Sequence, residues 1–541
     1  QAARQRRPHH AQPRPPHRPM IPIATLKTTV QRALRQVARM KDVQEAEVFA
    51  SSTGQLLCRL NYTSEIPCNG VEEPKSSESF GIGIRAVFAG DDGPRVGFGS
   101  EARDLSPIGI RRALEKARHN AVLDPEFISL PALESKPGRG PRRSARDHDR
   151  AIMEVKDGAL VEVGWRVINE ALKVFASSDQ LAWMAGSKDK VPSLGLLVGG
   201  DVSLFQQRTA LASTRMPKVQ TDESTFVTSY VTSMVERKNA KGSGYAATTH
   251  LAKFKGEAGG EAARNAVRAA GGERLPSGTY AVVLGPQPVT DLMTNLILPS
   301  LSADAFYSSQ TAFLGELGRT VAAEALTIYD HGAARGMVGS KRLTCEGLPT
   351  GRTDLIRSGV LQGLLSNHYE TQRLLRDPQA REKLGINPQE HPEALVPRNG
   401  FRLSSRGGRQ FDVPPAIAAT NVFIEGAEPH TAESLLRLVN NGVYIGRIWY
   451  TYPINGLRAG DFTCTVVADS YLIQNGRLTV PLQGNTIRIT GNIRQLLRNV
   501  LGVTKQARPV VGWGADEVVY APEIAVRDVR LSEIAQFMER V

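Results

Sequence analysis

The sequence predicts an α+β fold: an N-terminal mixed sheet with helices, then a strand-rich C-terminal domain that forms a curled sheet or barrel. Three observations carry this. A long helical pattern at 159–178 precedes strand-like runs at 194–200, 203–213 and 224–236, with no βαβ alternation. The stretches 442–453, 461–476, 477–490 and 523–531 are strand-rich and broken by Gly and Asn turns. Finally, 541 residues are too many for one simple core, so the chain divides into units.

In chain order, residues 1–20 carry five Arg and no acid and read as a disordered basic tail. They lack the apolar core of a secretory signal. The N-terminal α+β segment spans 21–130. It opens with an amphipathic helix bearing Leu26, Val30, Leu34 and Val37. In "FGIGIRAVFAG" (80–90), Phe80, Ile82, Ile84 and Ala86 alternate with Gly81, Gly83 and Arg85, as in a half-buried strand. Ser106 and Pro107 supply the cap and first residue of a helix running through Ala113, Leu114, Ala117 and Val122.

Residues 131–150, rich in Pro, Gly and Arg, read as a flexible basic linker. A middle α+β segment, 151–250, packs with the first. In "STFVTSYVTSMVE" (224–236), Val227, Val231 and Val235 share one face, and Phe226, Tyr230 and Met234 share the other. The C-terminal domain, 251–541, begins with an Ala-rich helix at 257–270 that stops at Gly271-Gly272. A strand at 280–284 then meets Gly285-Pro286 and a helix with Leu292, Leu296 and Ser300 on one stripe. Strands at 325–330 and 420–426 follow, and Thr431 caps the helix "AESLLRLVNN".

The net charge is +13, but the tail contributes +5 and the linker +3, leaving +5 for the other 501 residues. No structured stretch interleaves basic and aromatic residues, which argues against nucleic-acid binding. No run of about 18 apolar residues suggests a membrane span. The four cysteines, at 58, 68, 345 and 464, show no CxxC spacing and fit a reducing, cytoplasmic setting. Cys345 and Cys464 read as small buried hydrophobes without a neighbouring base. The ten His form no HExxH or HExxxH pair. His148 falls in the linker, and His368 and Glu370 are two apart on a helix, on different faces. Neither a P-loop nor a GxSxG or GxGxxG signature occurs, so the residues alone show no catalytic or metal-binding set.

Several ordered motifs nevertheless resemble the TldD/PmbA (TldE) family, which includes zinc metallopeptidases. They are "VVLGP" (282–286), "LILPSLSADAFYSSQTAFLGELGRTVAAEALTIYD" (296–330), "CEGLPTGRTDLIRSGVLQGLL" (345–365), "GLRAGDFTCTVVADSYLIQNG" (456–476) and "LTVPLQGNTIRITGNIRQLL" (478–497), with a weaker match at 80–100. In TldD-type members the helix after "LGP" carries HExxxH, and a Cys near the C-terminus completes the zinc site. The matching positions here are Thr294, Asn295 and Pro299, and no Cys follows Cys464.

The resemblance therefore implies the PmbA/TldE type: no catalytic residue, no metal and no cofactor held by this chain. Zinc is expected in a TldD-like partner subunit, and the pair is expected to process unfolded peptide. A self-paired homodimer that only binds peptide or serves a structural role is an alternative. A divergent peptidase using Cys464, Glu346 or Asp461 is another. Glu346, Asn455, Gly460 and Asp461 are the candidates for lining a peptide cleft, the last three in the turn "NGLRAGDFT" (455–463).

Overall fold

The computed structural model describes residues 20–133, 148–155, 157–403, 407–512 and 517–535. The expected tail residues 1–19 and linker residues 134–147 lie outside these. Met20, assigned above to the tail, is buried, and its carbonyl accepts from the Arg208 guanidinium at 3.4 Å. At the linker's far end, Asp149 caps the short helix Arg150–Met153 and accepts the Leu251 N–H at 2.8 Å.

Seven strands build the first sheet, in the order Val122–Leu123, Arg95–Ala102, Lys75–Phe88, Val43–Thr63, Leu196–Ser213, Gln220–Val235 and Ala240–Thr248. Every pairing is antiparallel, which corrects the expected mixed sheet. Most neighbours are consecutive in the chain and joined by short connections, and a short connection can return only an antiparallel strand. The sheet takes strands from both the 21–130 and the 151–250 segments.

Four helices cover one face: Ile23–Val37, Pro107–His119, Asp157–Ser177 and Glu257–Arg268. Val48, Ile84 and Ala210 pack under the first two; Leu60, Val202 and Val231 pack under the others. The helix Glu257–Arg268 thus belongs by packing to the first sheet, although the sequence places it in the C-terminal domain. It ends at Ala269; Gly271 takes the left-handed conformation two residues later. The Pro107 helix stops at His119, before the expected Val122, which joins the sheet edge instead.

Close helix approach depends on glycine. A Cβ on Gly99 would lie 2.2 Å from the Ala113 carbonyl oxygen and 2.3 Å from the Ala117 nitrogen. Both are backbone atoms, so the helix itself would have to move. Gly99→Ala is expected to destabilise the first sheet by about 1–3 kcal/mol, as overpacking does. Denaturant melts of the two proteins check this, and an unchanged midpoint would show that the helix seat is soft.

The C-terminal sheet closes on itself. Gly278–Leu284, Gly442–Pro453, Asp461–Gln474, Ile487–Asn492 and Val518–Glu533 are hydrogen-bonded in a continuous circuit, a five-stranded ring. From Val518–Glu533 an arm continues through Asn421–Gly426, Leu326–His331 and Arg352–Arg357. Parallel pairs at 421–423 with 518–520 and at 443–445 with 282–284 make this second sheet the mixed one. The largest core surrounds it and includes Leu292, Leu296, Ile328, Ile424 and Val526.

The two sheets meet across the first sheet's helix-free face. Phe49 and Leu211 pack there on Cys345, Phe401 and Phe411. Charged groups are buried in the same layer. Arg402 Nη2 lies 2.6 Å from Glu47 Oε1, with both side chains at 0% exposure. Arg409 donates to Asp222 at 2.6 Å, to Gln207 at 3.0 Å and to Ser224 at 3.0 Å. Each charge finds partners in place of water, as buried ions must.

Candidate functional site

The helix after Gly285-Pro286 is the part of the fold from which the site is built. Pro286 occupies its first turn, where the missing N–H is no loss. The helix is α over Pro286–Leu292, widens to a π turn over Met293–Ile297, and resumes as α over Leu298–Ser300. In the wide turn the Leu298 N–H reaches back five residues to the Met293 carbonyl. Pro299 accounts for the widening: it brings no N–H, and its ring crowds the carbonyl four residues earlier. The apolar stripe, with Leu292 and Leu296, faces the core as expected.

The opposite, polar face of this helix lines a cavity of about 590 Å³ between the two sheets. Gln287, Thr290 and Asp291 come from the helix. The first sheet contributes its helix-free face: Asp201, Ser203 and Phe205, then Phe226, Thr228 and Tyr230. Arg447 and Trp449 of strand Gly442–Pro453 complete a third wall. Gln287 ties two walls together. Its side chain accepts the Ile448 N–H at 2.9 Å and donates to the Ile448 carbonyl at 3.2 Å, as a neighbouring strand would.

Burial raises the Asp291 carboxyl above its ordinary range, and the nearby neutral side chains of Thr451 and Asn295 act against the shift. Burial likewise raises Asp201, with Arg59 acting against it. Arg447 is held elsewhere. Its Nη1 donates to Ser243 Oγ at 2.8 Å and to Thr232 Oγ1 at 3.3 Å, and its guanidinium stacks 4.9 Å over Tyr230. Asp469 lies close enough to oppose the lowering that burial imposes on Arg447. The Asp469 carboxyl, pushed up to about 7 by burial, accepts the Ser243 N–H with both oxygens. That contact covers the outer edge of strand Ala240–Thr248.

The four cleft candidates from sequence do not line this cavity. Glu346 is 1% exposed, and its Oε2 accepts the His368 N–H at 3.0 Å. Burial pushes its carboxyl up to about 7 against the pull of Arg85. Asn455 and Gly460 have left-handed backbone, with φ of 60° and 74°, in the connection between strands Gly442–Pro453 and Asp461–Gln474. Asp461 Oδ1 accepts from Asn492 Nδ2 at 2.9 Å, a bond that braces the turn. Sequence reading missed Asp201, Asp291 and Arg447. The one available signal was the aromatic face Phe226–Tyr230, which the fold turns toward the cavity.

The family comparison completes this picture. The model described as PmbA/TldA metallopeptidase C-terminal domain matches residues 277–533, and the one described as PmbA/TldA metallopeptidase domain 1 matches 69–121. The chain belongs to the PmbA/TldD metallopeptidase family. A metalloprotease of Methanothermobacter thermautotrophicus is 26% identical over 257 residues, covering 48% of this chain and 50% of its own. Metalloprotease PmbA of Escherichia coli O157:H7 is 23% identical over 247 residues, 45% of each chain. These matches span about half the length of the curated relatives. TldE of Thermococcus kodakarensis superimposes with a TM-score of 0.71 at 17% identity, over 93% of this chain and 100% of that one, which shows a shared fold.

Within this PmbA/TldD-family fold, Thr294, Asn295 and Pro299 fall on and just after the π turn. Residues five apart share a face of such a turn, so positions 294 and 299 are neighbours. Thr294 Oγ1 is buried without a partner among the described residues. Asn295 Nδ2 donates to the Asp291 carbonyl at 2.9 Å. Among the described residues no three His, Cys, Asp or Glu side chains converge as a metal cluster.

Cys58, Cys345 and Cys464 are buried, and Cys68 is exposed; all four are free thiols. Burial pushes Cys58 up to about 11 and also raises Cys345 and Cys464. A thiol reagent at pH 8 is expected to modify Cys68 rapidly and the other three only after denaturation, because the thiolate is the reactive form. Fast reaction of a second thiol in the native chain would contradict this burial.

Proposed function

We propose that this chain is a PmbA/TldE-like peptidase subunit that binds extended, unfolded peptide and holds no catalytic zinc of its own. One observation carries the reading: the helix that bears HExxxH in TldD-type relatives presents Thr294, Asn295 and Pro299 at those positions. A threonine hydroxyl is a poor zinc ligand, an asparagine amide cannot act as a general base, and proline has no ligating side chain. The zinc, with the water activation it supplies, resides in a TldD-like partner, and the two subunits form a heterodimer. This chain's contribution is positional. Its cavity between sheets, roofed by the helix, receives peptide through backbone and side-chain contacts that require no reacting group. Free cysteines throughout support a reducing, cytoplasmic setting. No described helix is long and apolar enough to cross a membrane.

The test is reconstitution. The isolated chain is expected to contain far less than one zinc per chain by elemental analysis and to leave unfolded peptides intact. Mixed with a zinc-bearing TldD-type subunit, it is expected to co-purify and to support cleavage that a chelator stops. A tightly held stoichiometric metal, or cleavage by the isolated chain in chelator, would overturn the reading. Stable self-association with no binding to any such partner would favour the homodimer.

A further inference from the structure

Resting on the reading that the ligand is a peptide, we infer that the inter-sheet cavity is a subsite for a cationic side chain, lysine or arginine. Asp201 on the first sheet and Asp291 on the helix hold the charge, and Tyr230, Tyr245 and Trp449 wall the stem.

The charge balance of the cavity leads to this assignment. Among the described residues two carboxylates line it, one on each unit. Neither takes part in an ion pair among the described residues; the Asn295 amide bonds the Asp291 backbone carbonyl, and Asp201 feels Arg59 without a hydrogen bond from it. Among the described lining residues the one base, Arg447, is already committed to Ser243, Thr232, the Tyr230 face and the field of Asp469. It therefore forms no ion pair with either aspartate, and only the more distant Arg59 acts on Asp201.

A carboxylate without a cation in a partly dry cavity is unfavourable, and burial raises both of these groups accordingly. An incoming ammonium or guanidinium removes that penalty by forming charge-assisted hydrogen bonds. The walls suit the rest of such a side chain. The rings of Tyr230 and Tyr245 lie 5.0 Å apart at 60°, and those of Phe205 and Phe226 stack at 4.4 Å. Aromatic faces attract a cation and accept an aliphatic stem. The volume, about 590 Å³, is within the range of ligand sites and exceeds what a single methylene chain needs.

The experiment is calorimetric titration of the full chain with pentapeptides blocked at both ends and identical except for the central residue: lysine, arginine, norleucine or glutamate. Lysine and arginine peptides are expected to bind about tenfold more tightly than the norleucine peptide, the scale of one charge-assisted contact, and the glutamate peptide more weakly still. Asp291→Asn and Asp201→Asn are each expected to shrink the ratio of lysine to norleucine affinity, with circular dichroism and a thermal melt of each variant reporting that it is folded. Equal binding of lysine and norleucine peptides, a lysine preference that survives in both variants, or no binding of any peptide would each overturn the subsite. Partner-dependent cleavage is read separately. Cleavage without lysine preference removes only the subsite, whereas lysine-selective binding with no cleavage in any reconstitution removes only the peptidase role.

Discussion

Arg402→Met is expected to destabilise the chain by about 3–5 kcal/mol, the usual consequence of removing one partner of a buried ion pair. Arg402 and Glu47 are both at 0% exposure and 2.6 Å apart, on opposite sides of the junction between the sheets. Burial alone would raise the Glu47 carboxyl, but the Arg85 and Arg402 guanidiniums outweigh it and hold the group below its ordinary range. Arg402 also donates to the Val413 carbonyl at 2.9 Å and lies 4.9 Å over the Phe49 ring. Without it, the one ion-pair partner left to Glu47 among the described residues is Arg85, at 3.1 Å. The double variant Glu47→Gln/Arg402→Met should recover part of the loss, because the uncompensated Glu47 carboxylate is gone while Arg85, 11% exposed, loses its charged partner. Urea unfolding of parent, single and double variants measures the coupling. A single variant within 1 kcal/mol of the parent, on this scale of a few kcal/mol, would mean that water reaches Glu47.

Glu346→Gln is expected to stabilise the chain above pH 7 and to leave it nearly unchanged near pH 4.5. Glu346 has a folded-state pKa of about 7 against an ordinary 4.5, so the folded chain holds this proton more tightly than the unfolded chain does. Its contribution is therefore most favourable below the unfolded value, declines as pH rises from 4.5 through 7, and levels off beyond. The full span is on the order of 3 kcal/mol. Glutamine keeps an acceptor for the His368 N–H and does not titrate. Asp330 and Asp469, pushed up to about 6 and about 7 by burial, titrate alike in both proteins and cancel in the difference. Parallel loss of stability in parent and variant between pH 5 and 8 would clear Glu346 of this role.

Local signals in the chain were readable where they were self-contained. Ser106 accepts the Gly109 N–H at 3.3 Å, as an Ser-Pro helix start requires. Thr431 forms a full capping box with Ser434. The split of 224–236 into a valine face and an aromatic face holds in the sheet, with Val227, Val231 and Val235 at 0% exposure under the helices. By contrast, the longest strand, Val43–Thr63, escaped notice. Its centre reads Ser-Ser-Thr-Gly: these small polar side chains are buried, with Ser52 accepting the Ile21 N–H and Thr53 donating to the Arg409 carbonyl of the other unit. Strands Val500–Val511 and Ala240–Thr248 were missed too, the second because close helix packing over Gly242 and Gly244 leaves no room for the β-branched residues that mark a strand. The runs 194–200 and 203–213 proved to be one strand, Leu196–Ser213, bent through Gly200 at φ 137°.

The sequence by itself determined the α+β class, most helix ends, the strand-rich C-terminus, the family resemblance, and the identity of residues 294, 295 and 299. These depend on spacing and side-chain chemistry within short windows. Tertiary structure alone decided that the C-terminal strands close into a ring, that Glu346 is sealed beneath the sheet junction, and that the 455–461 turn stands away from the cavity. It alone brought Asp201 and Asp291, 90 residues apart in the chain, to the walls of one cavity. The reason is physical: each aspartate sits in an ordinary helix or strand, and what sets it apart is the burial and the missing cation, which exist only once the two units pack.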